Sequence, residues 1–314
     1  MTDPIFTTET NLAAQRELLT IVIPTLNEEA SIGVLIDEVK AQGFNRILVA
    51  DGYSSDMTAR IAAERGAEVI MQHGQGKAGA MVTAFRAVST PYLIVMDGDG
   101  SYDPADICRF LPLVEAFDFV KGTRVRNENM SGLHKLGNRV ITKTFDLLMG
   151  TSIGDICSGM YMLRTDSVRH LNLEKHPFTV EQEIAAELVV TSARITTVPI
   201  NYRKRTGGVS KVKTWRQGFR DLATNFDLAR TYNPILLFSF ISSLALLPSF
   251  GLLTYALLLA IMLHDFHGGY LLAGLVLLVL GAQGLTVATV GSMLRRIERI
   301  LRESSQSGEA SNYR

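Results

Sequence analysis

The chain is poor in sulfur and has no net charge. Two cysteines, Cys108 and Cys157, stand in 314 residues. They lack metal-ligand spacing and are too few for a disulfide framework, so a reducing compartment without structural disulfides is expected. Lys and Arg number 31, Asp and Glu also 31, and the pI is near 7.0. That balance argues against a nucleic-acid partner. No internal repeat is present. The opening residues, MTDPIFTTETNLAAQRE, show no basic segment followed by an apolar core, so they do not read as a signal peptide.

Charge is also missing locally. Residues 235–263 and 270–294 contain no Asp, Glu, Lys, Arg or His, and each run exceeds the roughly 20 apolar residues needed to cross a bilayer. The link between them has no Lys or Arg, whereas Arg220 and Arg230 precede the pair and Arg295, Arg296, Arg299 and Arg302 follow it. The positive-inside rule then puts both ends, and the soluble part, in the cytoplasm. Runs without ionisable groups read as an anchor rather than a substrate path. Just before them, Trp215, Phe219, Leu222, Phe226 and Ala229 recur at helical spacing, with charges on other faces. This is an amphipathic helix that either packs on the soluble part or rests on the membrane surface. Its place next to a span favours the membrane.

The expected layout is an N-terminal tail at 1–18, an α/β domain at 19–211, an interface helix at 212–233, two spans at 234–294 and a tail at 295–314. The tail is polar and serine-rich from 302 and is expected to be disordered. Within 19–211, strands are expected at 19–24, 46–50, 68–72 and 93–96, with helices from about 30, at 57–65 and at 77–87. This alternation predicts a Rossmann-like, mostly parallel sheet with helices on both faces. A fifth strand is expected at 117–122, a mobile polar loop at 124–132 and a helix at 134–149. A strand at 158–163, a helix at 180–190 and a strand at 195–202 complete the pattern.

The fourth strand stops at Asp97-Gly98-Asp99. Two carboxylates at the carboxyl end of a parallel strand suit a hard cation, and ligands of open α/β sheets gather there. The same residues also read as a solvated acidic turn, with Asp103-Pro104 as cap and first residue of the next helix. His73–Gly79 reads HGQGKAG, a literal G-x-G-x-x-G between strand and helix. It raises a rival, an NAD(P)-dependent membrane-anchored reductase. Against it, the fingerprint normally lies in the first βα unit, and a ribose-binding acid needs no second carboxylate. A Walker A motif is excluded by Met71 and by Ala78 after Lys77. Lys77 is therefore a phosphate or nucleotide contact, or a solvated surface lysine. Asp51 ends strand two in a polar turn that binds a base or ribose, or caps the next helix. Arg203, Lys204, Arg205, Lys211 and Lys213 surround Gly207-Gly208, as a lipid-attracted loop or a phosphate clamp, with Arg124, Arg126 and Arg139 adding charge. Asp155 by itself reads as a cap. Glu181 and Glu183 open a helix, where acids are favoured anyway.

Taken together, IVIPTLNEE, LVADGYSSD, VMDGDG, GDICSGMYMLR, the EQE of residues 181–183 and VPINYRKRTGGVSK resemble glycosyltransferase family 2 with a GT-A fold. The nearer likeness is to its dolichol-phosphate mannose synthase-like branch, which includes polyisoprenyl-phosphate glucosyltransferases. The likeness spans residues 20–294. It implies metal-dependent inverting transfer of a hexose from a nucleotide-diphosphate sugar to a polyisoprenyl phosphate, with UDP-glucose placed before GDP-mannose as donor. It further implies that Pro24, Leu26 and Glu28 border the nucleotide and that Asp51 contacts the base. Asp97 and Asp99, with Gly98 between, would hold Mg²⁺ or Mn²⁺ against the diphosphate. Arg205 would serve the donor, where Lys77 of the glycine turn, as a nucleotide contact, would join it; Arg124, Arg139, Ser210 and Lys211 would bind the acceptor phosphate, and Asp155 would orient acceptor or sugar as a catalytic residue. Ser101 departs from the family, which often has Gln there. The implied partners are nucleotide sugar, lipid phosphate and membrane, and a homo-oligomer is compatible with the pattern. A processive polysaccharide synthase would carry Q-x-x-R-W, which the surroundings of Trp215 do not match. A non-enzymatic nucleotide-sugar scaffold would not need the acids and the basic clamp together.

Overall fold

Among the described residues, seven strands make one mixed sheet in the order β3-β2-β1-β4-β6-β5-β7. The computed structural model describes residues 9–126, 132–171, 173, 179–205, 214–262 and 267–311. The chain divides into one unit of residues 1–147 and 151–224 and another of 148–150 and 225–314. In the first, β1 (Leu19–Thr25), β2 (Ile47–Asp51), β3 (Glu68–Met71) and β4 (Tyr92–Val95) are parallel neighbours. Their runs LTIVIPT, ILVAD and YLIV are rich in β-branched residues, and β2 and β4 are buried throughout, as strands covered on both faces should be. β5 (Phe119–Arg126) and β7 (Ile195–Asn201) are parallel to each other, while β6 (Tyr161–Arg164) runs antiparallel to both β4 and β5.

Helices α2 (Ile32–Ala41) and α3 (Thr58–Glu64) close one face around Ile21, Ile23, Val49, Ile94 and Met162. On the other, α4 (Gly76–Ala87) lies against β1 and β2. Asp103 caps a 3-10 helix, Pro104–Arg109, by accepting from the Ala105 amide, with Pro104 at its first position. α5 (Gly132–Met149), the short α6 (Thr165–Val168) and α7 (Val180–Val190) complete the set.

Three expectations need correction. The stretch read as an N-terminal tail contains a helix, α1 (Glu9–Glu17). The polar stretch 124–132 is not loop from its start, because β5 continues to Arg126 by pairing with β7 through a register shift; residues 127–131 lie outside the described ones. The serine-rich tail is helical as far as Ser311. It contains no proline to stop the helix that enters it from Gly268.

α8 (Thr214–Tyr232) leads to α9 (Pro234–Met262) and α10 (Gly268–Ser311). Pro234–Met262 and Gly268–Leu294 are long and apolar enough to cross a membrane. The two form a hairpin whose contact surface is built from small residues, as membrane helix pairs require when apolar burial offers no driving force. A Cβ on Gly281 would meet Leu246 Cγ at 2.5 Å, and one on Gly284 would collide with the Ser242 hydroxyl. Ser249 Oγ donates to the Gly274 carbonyl at 2.7 Å, tying the helices together. Gly284→Ile is therefore expected to destabilise the hairpin by about 1–3 kcal/mol through overpacking. Thermal unfolding of the detergent-solubilised protein measures this, and an unchanged midpoint would contradict the packing.

Candidate active site

The acidic turn follows β4 directly. Gly98 is required by crowding, since a Cβ there would lie 2.9 Å from Thr25 Cγ2, and its carbonyl accepts from Ser31 Oγ at 2.8 Å. Gly100 supplies the positive φ, at 72°. Each carboxylate faces a cationic side chain. Asp97 Oδ1 accepts from Lys77 Nζ at 2.6 Å, and the same ammonium lies 2.5 Å from Glu181 Oε1. Asp99 Oδ2 is 3.7 Å from Arg205 Nη1, whose other nitrogen donates to Glu28 Oε1 at 2.6 Å. Ser101, where the family pattern departs, donates from its amide at 3.0 Å and its hydroxyl at 2.5 Å to Asp99 Oδ1. Glu28, Lys77, Asp97, Asp99 and Arg205, far apart in sequence, thus meet at one end of the sheet.

Burial pushes the Asp97 carboxyl up; Lys77 opposes this, while Asp99 and Glu181 add to it. Burial works against charge on Lys77, yet Asp97 and then Glu181 hold its ammonium well above the usual lysine range. Burial also disfavours the Glu181 carboxylate, but Lys77 and Lys121 outweigh it and keep that acid below its ordinary value. Among the described residues, no three His, Cys, Asp or Glu side chains are grouped to hold a metal ion. Two adjacent hard oxygen donors nevertheless fit Mg²⁺ or Mn²⁺, which commonly takes one or two carboxylates and fills its remaining positions with substrate phosphate and water.

At the ends of β1 and β2 the backbone is strained. Asn27 and Tyr53 adopt positive φ, 53° and 61°, in turns that bind each other: the Asn27 amide donates to Ser54 Oγ, and Asn27 Oδ1 accepts from the Ser55 amide. Asp51 is fully buried. Its Oδ1 accepts from Thr25 Oγ1 at 3.1 Å and Ser54 Oγ at 2.6 Å, its Oδ2 from the Ser54 amide at 2.8 Å. Both oxygens therefore shape the turn. Pro24 is half-buried, and Leu26 is exposed beside it. The glycines of HGQGKAG have a packing reason, since a Cβ on Gly79 would meet the His73 carbonyl at 2.7 Å. Their turn follows β3, an edge strand, whereas a dinucleotide fingerprint belongs near the point where strand order reverses.

Arg124 leaves β5 to meet Asp155 in a bidentate pair, Nε to Oδ2 at 2.6 Å and Nη2 to Oδ1 at 2.9 Å. Both Asp155 oxygens are thereby engaged. The guanidinium also lies over the Tyr202 ring, 5.2 Å from its centroid, and Tyr202 meets Tyr102 edge-on. Tyr102 accepts at its hydroxyl from the Gly159 amide at 2.6 Å. Arg139 is exposed on α5. Ser210 and Lys211 lie outside the described residues.

Sequence reasoning missed two charged residues. Glu181 looked like an ordinary first-turn acid, and Lys121 was not singled out at all. Lys121 is fully buried on β5, its Nζ has no hydrogen-bond partner among the described residues, and it sits 4.6 Å from the Tyr161 ring centroid. The only signal for it was a lysine inside an apolar strand.

This sheet, with its acidic turn beyond β4, is a GT-A glycosyltransferase fold. Glucosyl-3-phosphoglycerate synthase from Mycobacterium tuberculosis, solved with Mn²⁺, uridine diphosphate and phosphoglyceric acid, matches 73% of this chain and 84% of its own. The TM-score is 0.58 at 18% identity. The family model for glycosyl transferase family 2 matches residues 20–171. Glycosyltransferase AglJ of Haloferax volcanii is 32% identical over 241 residues, 75% of this chain and 80% of the relative. The chain belongs to glycosyl transferase family 2. Other relatives include a dolichyl-phosphate hexose transferase of Haloferax volcanii, 31% identical over 60% of this chain and 84% of the relative. An undecaprenyl-phosphate 4-deoxy-4-formamido-L-arabinose transferase of Yersinia pestis is 28% identical over 89% of this chain and 88% of its own.

The buried Lys121 gives a signature in stability. Burial, opposed by Glu181 and then Asp155, brings its ammonium down from 10.5 to about 8. Between that value and the unfolded one, the unfolded chain holds the extra proton, so stability rises with pH through the window. Relative to Lys121→Met, the wild type should gain on the order of 2–3 kcal/mol from about pH 8 to above pH 10. Parallel stability–pH curves for the two proteins would contradict it.

Proposed function

We propose that the protein transfers a hexose, with inversion, from a nucleotide-diphosphate sugar to a polyisoprenyl phosphate at the cytoplasmic face of a membrane. UDP-glucose is the first donor to test and GDP-mannose the second. The observation that carries this reading is the pair Asp97 and Asp99 at the end of β4, set among cationic side chains. The relatives named as dolichyl- and undecaprenyl-phosphate transferases support the acceptor, as do two helices of membrane-spanning length. Arginines before and after those helices support the orientation. Exposed Phe219 and Phe226 on α8 support a helix that lies on the bilayer.

The acceptor phosphate has a second pKa of roughly 6, so its attacking oxygen is already largely ionised at neutral pH. A strong general base is then unnecessary. The task left to the protein is to bring two anions together, which demands fixed positive charge in a partly dry site. Asp97 and Asp99 would hold Mg²⁺ or Mn²⁺, which when bound supplies Lewis-acid stabilisation of the departing diphosphate. Arg205, held by Glu28, stands where it can bind the donor diphosphate. Arg124 would take the acceptor phosphate, with Ser210, Lys211 and Arg139 adding to the clamp. Asp155 is a positioning residue in this scheme, because its two oxygens fix the Arg124 fork. Asp51 keeps the turn that borders the nucleotide base in shape. A strand-edge glycine turn and a Lys77 committed to two carboxylates give the reductase alternative no support.

The test is purified full-length protein with Mn²⁺ and a short polyprenyl phosphate, screened against radiolabelled UDP-glucose, GDP-mannose and UDP-N-acetylhexosamines. Label should enter the organic phase with one donor. Asp97→Ala and Asp99→Ala are each expected to lower that transfer by about 10³-fold or more. Near-normal turnover by either variant refutes the metal assignment, and no organic-phase label with any donor refutes the acceptor.

A further inference from the structure

Lys77 touches both Asp97 and Glu181, an acid to which no role in the transfer has been given so far. Its ammonium is shared almost evenly, 2.6 Å from Asp97 and 2.5 Å from Glu181. Lys77 lies in the first turn of α4 and Glu181 in the first turn of α7, so two helices are pinned to the end of β4 through one nitrogen. The Glu181 carboxylate is the deeper of the two, with 14% of its side chain exposed against 31% for Asp97. A divalent ion at Asp97 and an ammonium on the same carboxylate would repel each other in a partly buried site. One of them must find another counter-charge.

We propose that Glu181 is that counter-charge. It is a positioning residue that retains Lys77 when Asp97 turns to the ion, so that Lys77 and the ion exchange at Asp97 while Lys77 stays in place. The proposal rests on the metal reading of Asp97 and Asp99 given above. The surroundings fit the exchange. Lys121 is buried with no hydrogen-bond partner for its Nζ among the described residues, and its charge favours the ionised Glu181 even when Lys77 is shared. Asp97, Glu181, Lys77 and Lys121 together sum to zero. A divalent ion carrying a doubly charged nucleotide diphosphate also sums to zero, so the site can accept it without gaining net charge. Lys77 therefore acts in two ways. It shields Asp97 while the site is without donor, and it weakens the hold on a bare metal ion, so that ion and diphosphate bind best together.

The two residues must then affect metal affinity in opposite directions. Mn²⁺ binding to the full-length protein in detergent, without nucleotide, is followed by the electron paramagnetic resonance of free Mn²⁺. Lys77→Met removes the competitor and is expected to tighten Mn²⁺ binding on the order of tenfold, the size of an ordinary coupling between two ligands. Glu181→Gln leaves Lys77 to Asp97 alone and is expected to weaken binding by a similar factor. Lys77→Arg keeps the charge and should not tighten it. If Glu181→Gln does not fold, Glu181→Asp, one methylene shorter, takes its place and must still weaken binding. Shifts of the same sign, or none, in variants that fold would overturn the exchange while leaving the metal reading intact. Wild-type protein that binds no Mn²⁺ even with added nucleoside diphosphate, or an Asp97→Asn variant that binds as wild type does, would overturn the metal reading and the exchange with it.

Discussion

Concentrated negative charge at the carboxyl ends of the central strands is the constraint from which the rest of the site follows. Asp97, Asp99, Glu28, Glu181 and Asp155 all come to that end of the sheet, and each has a basic side chain against it: Lys77, Arg205 or Arg124. Carboxylates that are largely out of water cannot stay ionised alone, because the desolvation cost exceeds what solvent returns. The bases are therefore structural as much as chemical. They keep the acids charged and hold them apart until a ligand of matching charge arrives. In the proposed reaction both reactants enter as anions, and such a reservoir of paired charge is what would receive them.

The reversed strand β6 makes this concentration possible. Because it runs antiparallel to β4, with Val95 opposite Tyr161, the residues that lead into β6 arrive where β4 ends. That brings the loop bearing Asp155 and Gly159 to the acidic turn, and it sets Lys121 opposite Tyr161 on the neighbouring strand. An all-parallel sheet would have sent that loop to the far end. The parallel strands β1 and β2 contribute the turns with Asn27 and Tyr53, where positive φ is tolerated because the two turns hydrogen-bond to each other.

Much of this was legible from one-dimensional pattern. Buried parallel strands write themselves as short apolar runs, and the spans as long ones, so β1 to β4 and the helical hairpin emerged close to their final bounds. Asp97 and Asp99 stood out as two acids after an apolar run, although a solvated acidic turn reads the same way. Glu181 was hidden because a helix dipole explains an acid at that position equally well. Lys121 was hidden because its meaning lies in what faces it across two other elements. The Asp155 side chain showed the opposite problem: its motif was visible, but only geometry reveals that both oxygens go to Arg124. Helix α1 was hidden because its polar composition masks good helix formers, and the helical run to Ser311 because nothing in its serine-rich composition favours helix.

Gly159 carries a consequence for how this fold can change. It stands beside Asp97 across the β4–β6 ladder, and any side chain there would occupy the space of that carboxylate. Its amide is held by Tyr102, which is itself buried. Neither partner can be altered alone without moving the acid. A side chain at position 159 would therefore need a matching change at position 97, so this inner corner can vary only as a unit.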